Sequence, residues 1–274
     1  MDLLRAAILG IVQGLAEFLP ISSSGHLILV PALFNWEDQG LAFDVGLHCG
    51  TLLVLLAYFW RDWARMMTGG LRDLVRHRLS FADHSGESRL LWLIAFGSIP
   101  AGVVGLLFND WIEENVRQPW VVAITLAVFG IVMLVADRRT ANRRTMDGIG
   151  LADAAFIGLA QAAALIPGVS RSGATLCAGL FRDIRRDDAA RFAFLLGTPA
   201  FVGAAALTAR DLTGLSGREG LELAIGFAMS AAVGFAVIHF LLRYLRTRTL
   251  LPFVLYRFAV AILTLVIGGI RIAF

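Results

Sequence analysis

The chain has 274 residues, 58% of them hydrophobic and only 16% charged, with a mean hydropathy of +0.74. A soluble domain is nearer half apolar and a quarter charged, so this composition points to the bilayer. The net charge of +3 rests on 24 arginines and no lysine, set in short clusters between apolar runs; this suits membrane orientation and not nucleic-acid binding.

The chain opens without a basic n-region or a cleavage site, so the first helix is expected to stay on the protein. The first apolar region, 3–34, is broken in the middle by Gln13-Gly14-Leu15-Ala16-Glu17-Phe18-Leu19-Pro20-Ile21-Ser22-Ser23-Ser24-Gly25-His26. Gln13 and Glu17 are four apart and share a helix face. Pro20 ends that helix, because it lacks an N–H and restricts the residue before it. Ser22 to Ser24 then cap a second helix running through Leu27 to Val30, and a helix start with free N–H groups and hydroxyls binds anions, phosphate above all.

Runs near 41–60, 90–108 and 119–137 follow, each close to the ~20 residues that cross the hydrocarbon core. A second broken region covers 151–181, and further runs lie near 189–209, 221–242 and 252–272. Each broken region reads as a re-entrant helical hairpin, since irregular backbone at that depth must line a cavity or pack on protein. The fold class is therefore an all-α polytopic membrane protein with six transmembrane helices plus two re-entrant hairpins.

The breaks resemble each other. Shifted by 148 positions, Ala6, Ala7, Gly10, Gln13 and Ala16 fall on Ala154, Ala155, Gly158, Gln161 and Ala164, and Ser22, Ser24 and Gly25 on Ser170, Ser172 and Gly173. Gly50-Thr51 pairs with Gly197-Thr198, and Pro119 with Pro252, at slightly different offsets. The chain reads as one integral membrane domain, 1–274, built from repeats 1–137 and 151–274. Three spans per repeat invert the second copy relative to the first. Segments 61–89, 138–150, 182–191 and 243–251 carry seventeen arginines, against three in 109–118 and 210–220. This bias places both termini outside and lets the hairpin tips meet within the membrane.

The second tip reads Pro167-Gly168-Val169-Ser170-Arg171-Ser172-Gly173-Ala174-Thr175. An arginine at bilayer depth costs ~2.5–3.5 kcal/mol on insertion scales and needs an anionic partner. Two readings stay open: a structural pair with Glu17, or a phosphate clamp for which the planar fork is suited. Ser170, Ser172 and Thr175, with Gly168 and Gly173, would add hydroxyls and close backbone approach. His26 follows Ser-Gly at the first tip, which favours a catalytic role. A serine nucleophile with His or Glu as base is chemically sensible. Mg²⁺ or another hard cation would suit Glu17 together with phosphate oxygens.

The other polar residues have plainer readings. His48 and Asp44 read as helix-end or packing residues, His239 as packing, and Tyr256 and Arg257 as snorkelling to the inner surface. His77, His84 and the arginines of 61–89 read as a solvated loop, and Cys49 and Cys177 as buried free thiols.

At the two motifs the chain resembles the bacterial undecaprenyl-diphosphate phosphatase family, also called bacitracin-resistance proteins. The likeness runs from Ala6-Ala7-Ile8-Leu9-Gly10 through Leu255-Tyr256-Arg257-Phe258. The signatures [E/Q]-x-x-x-E and P-G-x-S-R-S-x-x-T read here as Gln13 to Glu17 and Pro167 to Thr175. The resemblance implies a membrane phosphatase that removes the terminal phosphate of undecaprenyl diphosphate, recycling the lipid carrier for peptidoglycan and conferring bacitracin resistance. It implies Ser23 as nucleophile, with His26 and Glu17 in acid–base or metal roles and Arg171 on phosphate. Ser22, Ser24, Gly168, Ser170, Ser172 and Thr175 would line the pocket. It also implies a divalent cation, Mg²⁺ first and Ca²⁺ second, at Glu17 and Gln13. Gln13 stands where some members carry Glu, which weakens a scheme with two carboxylates on the metal and leaves more to Glu17. The expected setting is the bacterial cytoplasmic (inner) membrane, with the site facing the periplasm, a polyprenyl diphosphate lipid and the bilayer as partners, and a homodimer left open.

Two rival readings fit the residues less well. The acid-phosphatase superfamily that also acts on lipid phosphates needs a lysine and a histidine shortly after Ser-Arg; this chain has no lysine and no histidine between Arg171 and His239. A transporter or flippase of the anionic lipid shares the inverted repeats and broken helices, but needs fewer reactive groups than Glu17, His26 and the serines provide.

Overall fold

The computed structural model describes residues 2–77, 84–208 and 217–273. Eleven α-helices and one short 3₁₀ helix (Met146–Gly148) follow one another among these residues, and no strand is formed among them. The first hairpin is α1 (Leu3–Phe18) and α2 (Ser23–Phe34), and the second is α7 (Leu151–Ala163) and α8 (Arg171–Phe181). Between and after them run α3 (Leu41–Tyr58), α4 (Trp60–His77), α5 (Gly86–Val116), α6 (Pro119–Arg139), α9 (Arg186–Thr208), α10 (Gly217–Tyr244) and α11 (Leu251–Ala273). Five of these, α5, α6, α9, α10 and α11, are each long and apolar enough to cross a membrane. The sixth expected span, α3, reaches that measure only with α4, from which it is bent by 69°. The protein is an all-α polytopic membrane protein.

The side chains are distributed as a bilayer requires. Large apolar residues such as Ile99, Leu106, Val128, Ile131, Phe235 and Ile262 point outward, while Gln13, Thr51, Thr175, Ser230 and Arg257 are buried. Lipid supplies no hydrogen bonds, so the polar groups turn inward to find partners. Phe18, Phe59 and Phe194 fill the centre, with Phe18 and Phe194 edge-to-face at 5.5 Å.

Each hairpin docks across the chain: α1 packs chiefly on α10, and α7 on α5. Gly10 lies against the backbone of Gly226, and Gly158 against that of Gly97, so closely that a Cβ at either position would collide with the facing carbonyl. The 148-residue shift that pairs Gly10 with Gly158 thus pairs two backbone contacts of the same kind. The tips match as well. Ser22 and Ser170 both hold positive φ, 77° and 75°, where non-glycine residues are uncommon. Each turns its hydroxyl to accept the N–H three residues on, Gly25 at 3.2 Å and Gly173 at 3.1 Å.

The segment 61–89 differs from the expected solvated loop. Residues 78–83 lie outside the described residues, but α4 is an amphipathic helix whose charged residues share one side while Met66 and Gly70 turn toward α5. Arginine density masked this 3.6-residue period. His84 is buried and hydrogen-bonds Ser88. Cys177 is buried as expected, whereas Cys49 is only partly so. Of the segment 210–220, residues 210–216 lie outside the described residues.

Candidate active site

The last two turns of α1 bring Gln13 and Glu17 onto one buried face, where Gln13 Nε2 donates to Glu17 Oε2 at 3.0 Å. The chain turns at Pro20, and Ser22 caps α2, which sets Ser23 on its first turn. Ser23 Oγ donates to the same Glu17 Oε2 at 2.7 Å. His48, from α3, approaches that oxygen with Nε2 at 3.3 Å while its Nδ1 donates to the Asp44 carbonyl at 2.7 Å. Both ring nitrogens of His48 thus face oxygen atoms, one on its own helix and one on α1.

Glu17 Oε1 takes a charge-assisted bond from Arg171 at 2.8 Å. Arg171 is the first residue of α8, capped by Ser170. Its fork lies over Gly197, where a Cβ would occupy the guanidinium's place, and stacks on Phe201 at 4.3 Å. A second donor of the fork reaches the Ala193 carbonyl at 3.2 Å. Its Nε is buried without a hydrogen-bond partner among the described residues, as is Gln13 Oε1. One carboxylate therefore gathers a hydroxyl, an amide, an imidazole and a guanidinium, with an unused donor and an unused acceptor beside it.

The tips touch. Ser172 Oγ donates to the Leu19 carbonyl at 3.3 Å, and Thr125 Oγ1, from α6, donates to the Pro167 carbonyl at 2.7 Å. Arg257 binds both tips from α11. It is fully buried and donates to the carbonyls of Pro20 (3.2 Å), Gly168 (2.8 Å), Val169 (3.2 Å) and Leu126 (3.2 Å). The expected snorkelling is thereby overturned: at the tips a guanidinium finds broken-helix carbonyls that no helix N–H serves, and it satisfies them.

The predicted site residues divide. Gln13, Glu17, Ser23 and Arg171 come together directly. Ser22 and Ser170 are helix caps, with Ser24 and Ser172 within 3.4 and 3.3 Å of their hydroxyls. Gly168, at φ 89°, shapes the second turn, and the Thr175 hydroxyl bonds back to the Arg171 carbonyl at 2.7 Å. His26 is joined to Tyr256 instead of Ser23. Its Nδ1 donates to the Ser22 carbonyl at 2.7 Å, leaving Nε2 to accept from the Tyr256 hydroxyl at 2.8 Å, with the two rings stacked. Sequence reasoning missed His48, Tyr256 and Arg257. The signal for His48 and Arg257 was their position inside apolar runs, where an ionisable residue is expensive to keep.

Among the described residues no three His, Cys, Asp or Glu side chains gather as a metal-holding group. Glu17 Oε1 and the unpartnered Gln13 Oε1 are the side-chain oxygens that would hold a hard cation, which would take further oxygens from a ligand or water.

Residues 6–263 match the family of the bacitracin resistance protein BacA. The chain is 43% identical over 271 residues to the undecaprenyl-diphosphatase of Moorella thermoacetica, covering 99% of this chain and 100% of that protein. It is 44% identical over 268 residues to the undecaprenyl-diphosphatase of Rubrobacter xylanophilus, covering 96% and 97%. Undecaprenyl-diphosphatase 2 of Stutzerimonas stutzeri is 44% identical over 275 residues, covering 98% and 100%. With a match from the first helix into the last, and relatives aligned over nearly their whole length, the chain belongs to the BacA family of bacitracin resistance proteins.

Proposed function

We propose that this protein hydrolyses undecaprenyl diphosphate to undecaprenyl phosphate and inorganic phosphate, renewing the lipid carrier for peptidoglycan synthesis and thereby conferring bacitracin resistance. The observation that carries this reading is the 2.7 Å bond from the Ser23 hydroxyl to Glu17, made where the N-termini of α2 and α8 and the Arg171 guanidinium converge. Hydroxyl, base and anion-binding groups in one place are what phosphoryl transfer to a side chain requires. The names of the relatives supply the lipid.

In this reading the terminal phosphate sits at the two helix N-termini, with Arg171 donating to its oxygens. Ser23 Oγ bonds to the terminal phosphorus as its proton passes to Glu17 Oε2. The bond from that phosphorus to the bridging oxygen breaks, and the lipid phosphate leaves with the electron pair. A phosphate monoester with a second pKa of about 6 needs no added proton to depart at neutral pH. Water then attacks the phosphoserine, Ser23 oxygen takes back the proton held on Glu17, and the freed phosphate carries both protons of the water. A Mg²⁺ or Ca²⁺ ion held by Glu17 Oε1 and Gln13 Oε1 would supply charge neutralisation for the phosphate oxygens. His26 and Tyr256 brace the Ser22 turn that presents Ser23.

The seventeen-to-three arginine bias supports a place in the bacterial cytoplasmic membrane with both termini and the site facing outward. The like-shaped tips and crossed docking of the hairpins favour a second reading, a carrier of the same lipid between leaflets. Phosphate release from undecaprenyl diphosphate by purified protein in detergent with Mg²⁺ separates the two. Hydrolysis survives without a sealed bilayer, and Ser23→Ala and Arg171→Ala should abolish it in folded protein. A folded wild type that releases no phosphate with any divalent ion, yet moves lipid in sealed vesicles, would move the carrier to the front.

A further inference from the structure

We infer that His48 is a positioning residue for the phosphoryl transfer, holding Glu17 on the Ser23 hydroxyl when Arg171 turns to the substrate; this rests on the phosphatase reading above. Glu17 is held from two sides. Arg171 takes Oε1 at 2.8 Å, while Gln13, Ser23 and His48 share Oε2 at 3.0, 2.7 and 3.3 Å. A diphosphate is a stronger anionic partner for Arg171 than one carboxylate, so binding draws the fork away from Oε1. What then fixes the carboxylate is the Oε2 side, where Gln13 is on α1 itself, one turn from Glu17. Apart from Ser23 of α2, the hydroxyl that has to be aimed at, the tie from that oxygen to another helix is His48 of α3.

His48 is in turn held so that it cannot follow Glu17. Its Nδ1 is anchored on the Asp44 carbonyl at 2.7 Å. Its ring leans on Phe201 at 5.6 Å, the same ring that carries Arg171. Phe201 therefore separates a group free to swing from one that stays. No part of this needs His48 to touch the substrate; it acts through Glu17.

The test uses full-length protein with His48→Leu and His48→Gln, read in two assays. One is steady-state phosphate release from undecaprenyl diphosphate. The other is the rate of Ser23 modification by an alkyl fluorophosphonate, followed by mass spectrometry, which reports the activated hydroxyl without the lipid. Loss of aim at the nucleophile predicts a kcat about 10²-fold lower in His48→Leu, with KM within about twofold of wild type. Ser23 labelling should slow in parallel. Gln places an amide N–H near the site of Nε2 and should restore most of both rates. The inference falls if His48→Leu keeps its kcat and its labelling rate, if the loss lies in KM alone, or if Gln does no better than Leu. Labelling that depends on His48 in a protein that releases no phosphate would uphold the positioning role while sinking the choice of substrate.

Discussion

Replacing Arg257 by methionine tests how the two tips are kept together. The side chain is fully buried, and three of its acceptors, the carbonyls of Pro20, Gly168 and Val169, lie in the helix breaks. Leaving each without a donor costs about 1–3 kcal/mol, or about 3–9 kcal/mol for the three. Against this, the buried guanidinium no longer has to be kept out of water, which returns several kcal/mol. The net loss should therefore lie near the low end, about 3 kcal/mol. For a chain of this size that is a fall in Tm of about 6–12 °C. Thermal unfolding of wild type and Arg257→Met in the same detergent measures it, with Arg257→Lys as a companion that keeps the charge but not the planar fork. Lysine should recover only part of the loss, because an ammonium cannot span carbonyls on both tips. A methionine variant that melts within 2 °C of wild type, a fall of less than about 1 kcal/mol, would show that the tips are held by other means.

Glu17→Gln should lower phosphate release about 10²–10⁴-fold while leaving the protein folded, since it removes the base but keeps the shape; release at the wild-type rate would exclude Glu17 as proton acceptor. Gly10→Leu should drive α1 off α10, costing about 1–3 kcal/mol by overpacking and lowering both Tm and activity, and an unchanged Tm would refute the contact with Gly226. In the loop between α2 and α3, burial would raise the Asp38 pKa, but the Arg117 fork and the Gly40 N–H outweigh it and hold the carboxyl below its ordinary 3.8. Its stabilising effect is thus complete above that value and is lost as the pH falls through the lower folded one. The melting gap between wild type and Asp38→Asn should be the same at pH 7 and pH 5 and close in stronger acid. Asp38 is about half exposed, so the gap stays under about 1 kcal/mol.

The helices were legible because the bilayer sets their length: the apolar runs at 119–137 and 221–242 became α6 and α10 with little change at their ends. Pro20 and Pro167 marked the breaks for a local reason, the missing N–H, and the serines after them marked the caps. What stayed hidden was contact across the chain. Glu17, His48 and Arg171 belong to three helices, and no local period announces that an imidazole in one apolar run will meet a carboxylate in another. Arg257 looked like an anchor because its use depends on carbonyls 89 and 237 positions away. His26 lay in the expected stretch, yet its partner was decided by Tyr256, 230 positions on. Proximity in sequence to Ser23 was no guide to which way its ring would turn.

The docking of α1 on α10 also bears on how the protein is made. When ribosomal synthesis has completed residue 18, the surface that will receive Gly10 does not yet exist. At ~5–20 residues per second, the roughly 200 residues up to α10 take about 10–40 s. For roughly the first 150 of those residues, about 8–30 s, Glu17 lacks Arg171, so the nascent hairpin has reason to wait in the headgroup region. A chain truncated before Gly217 would lack the surface on which Gly10 packs.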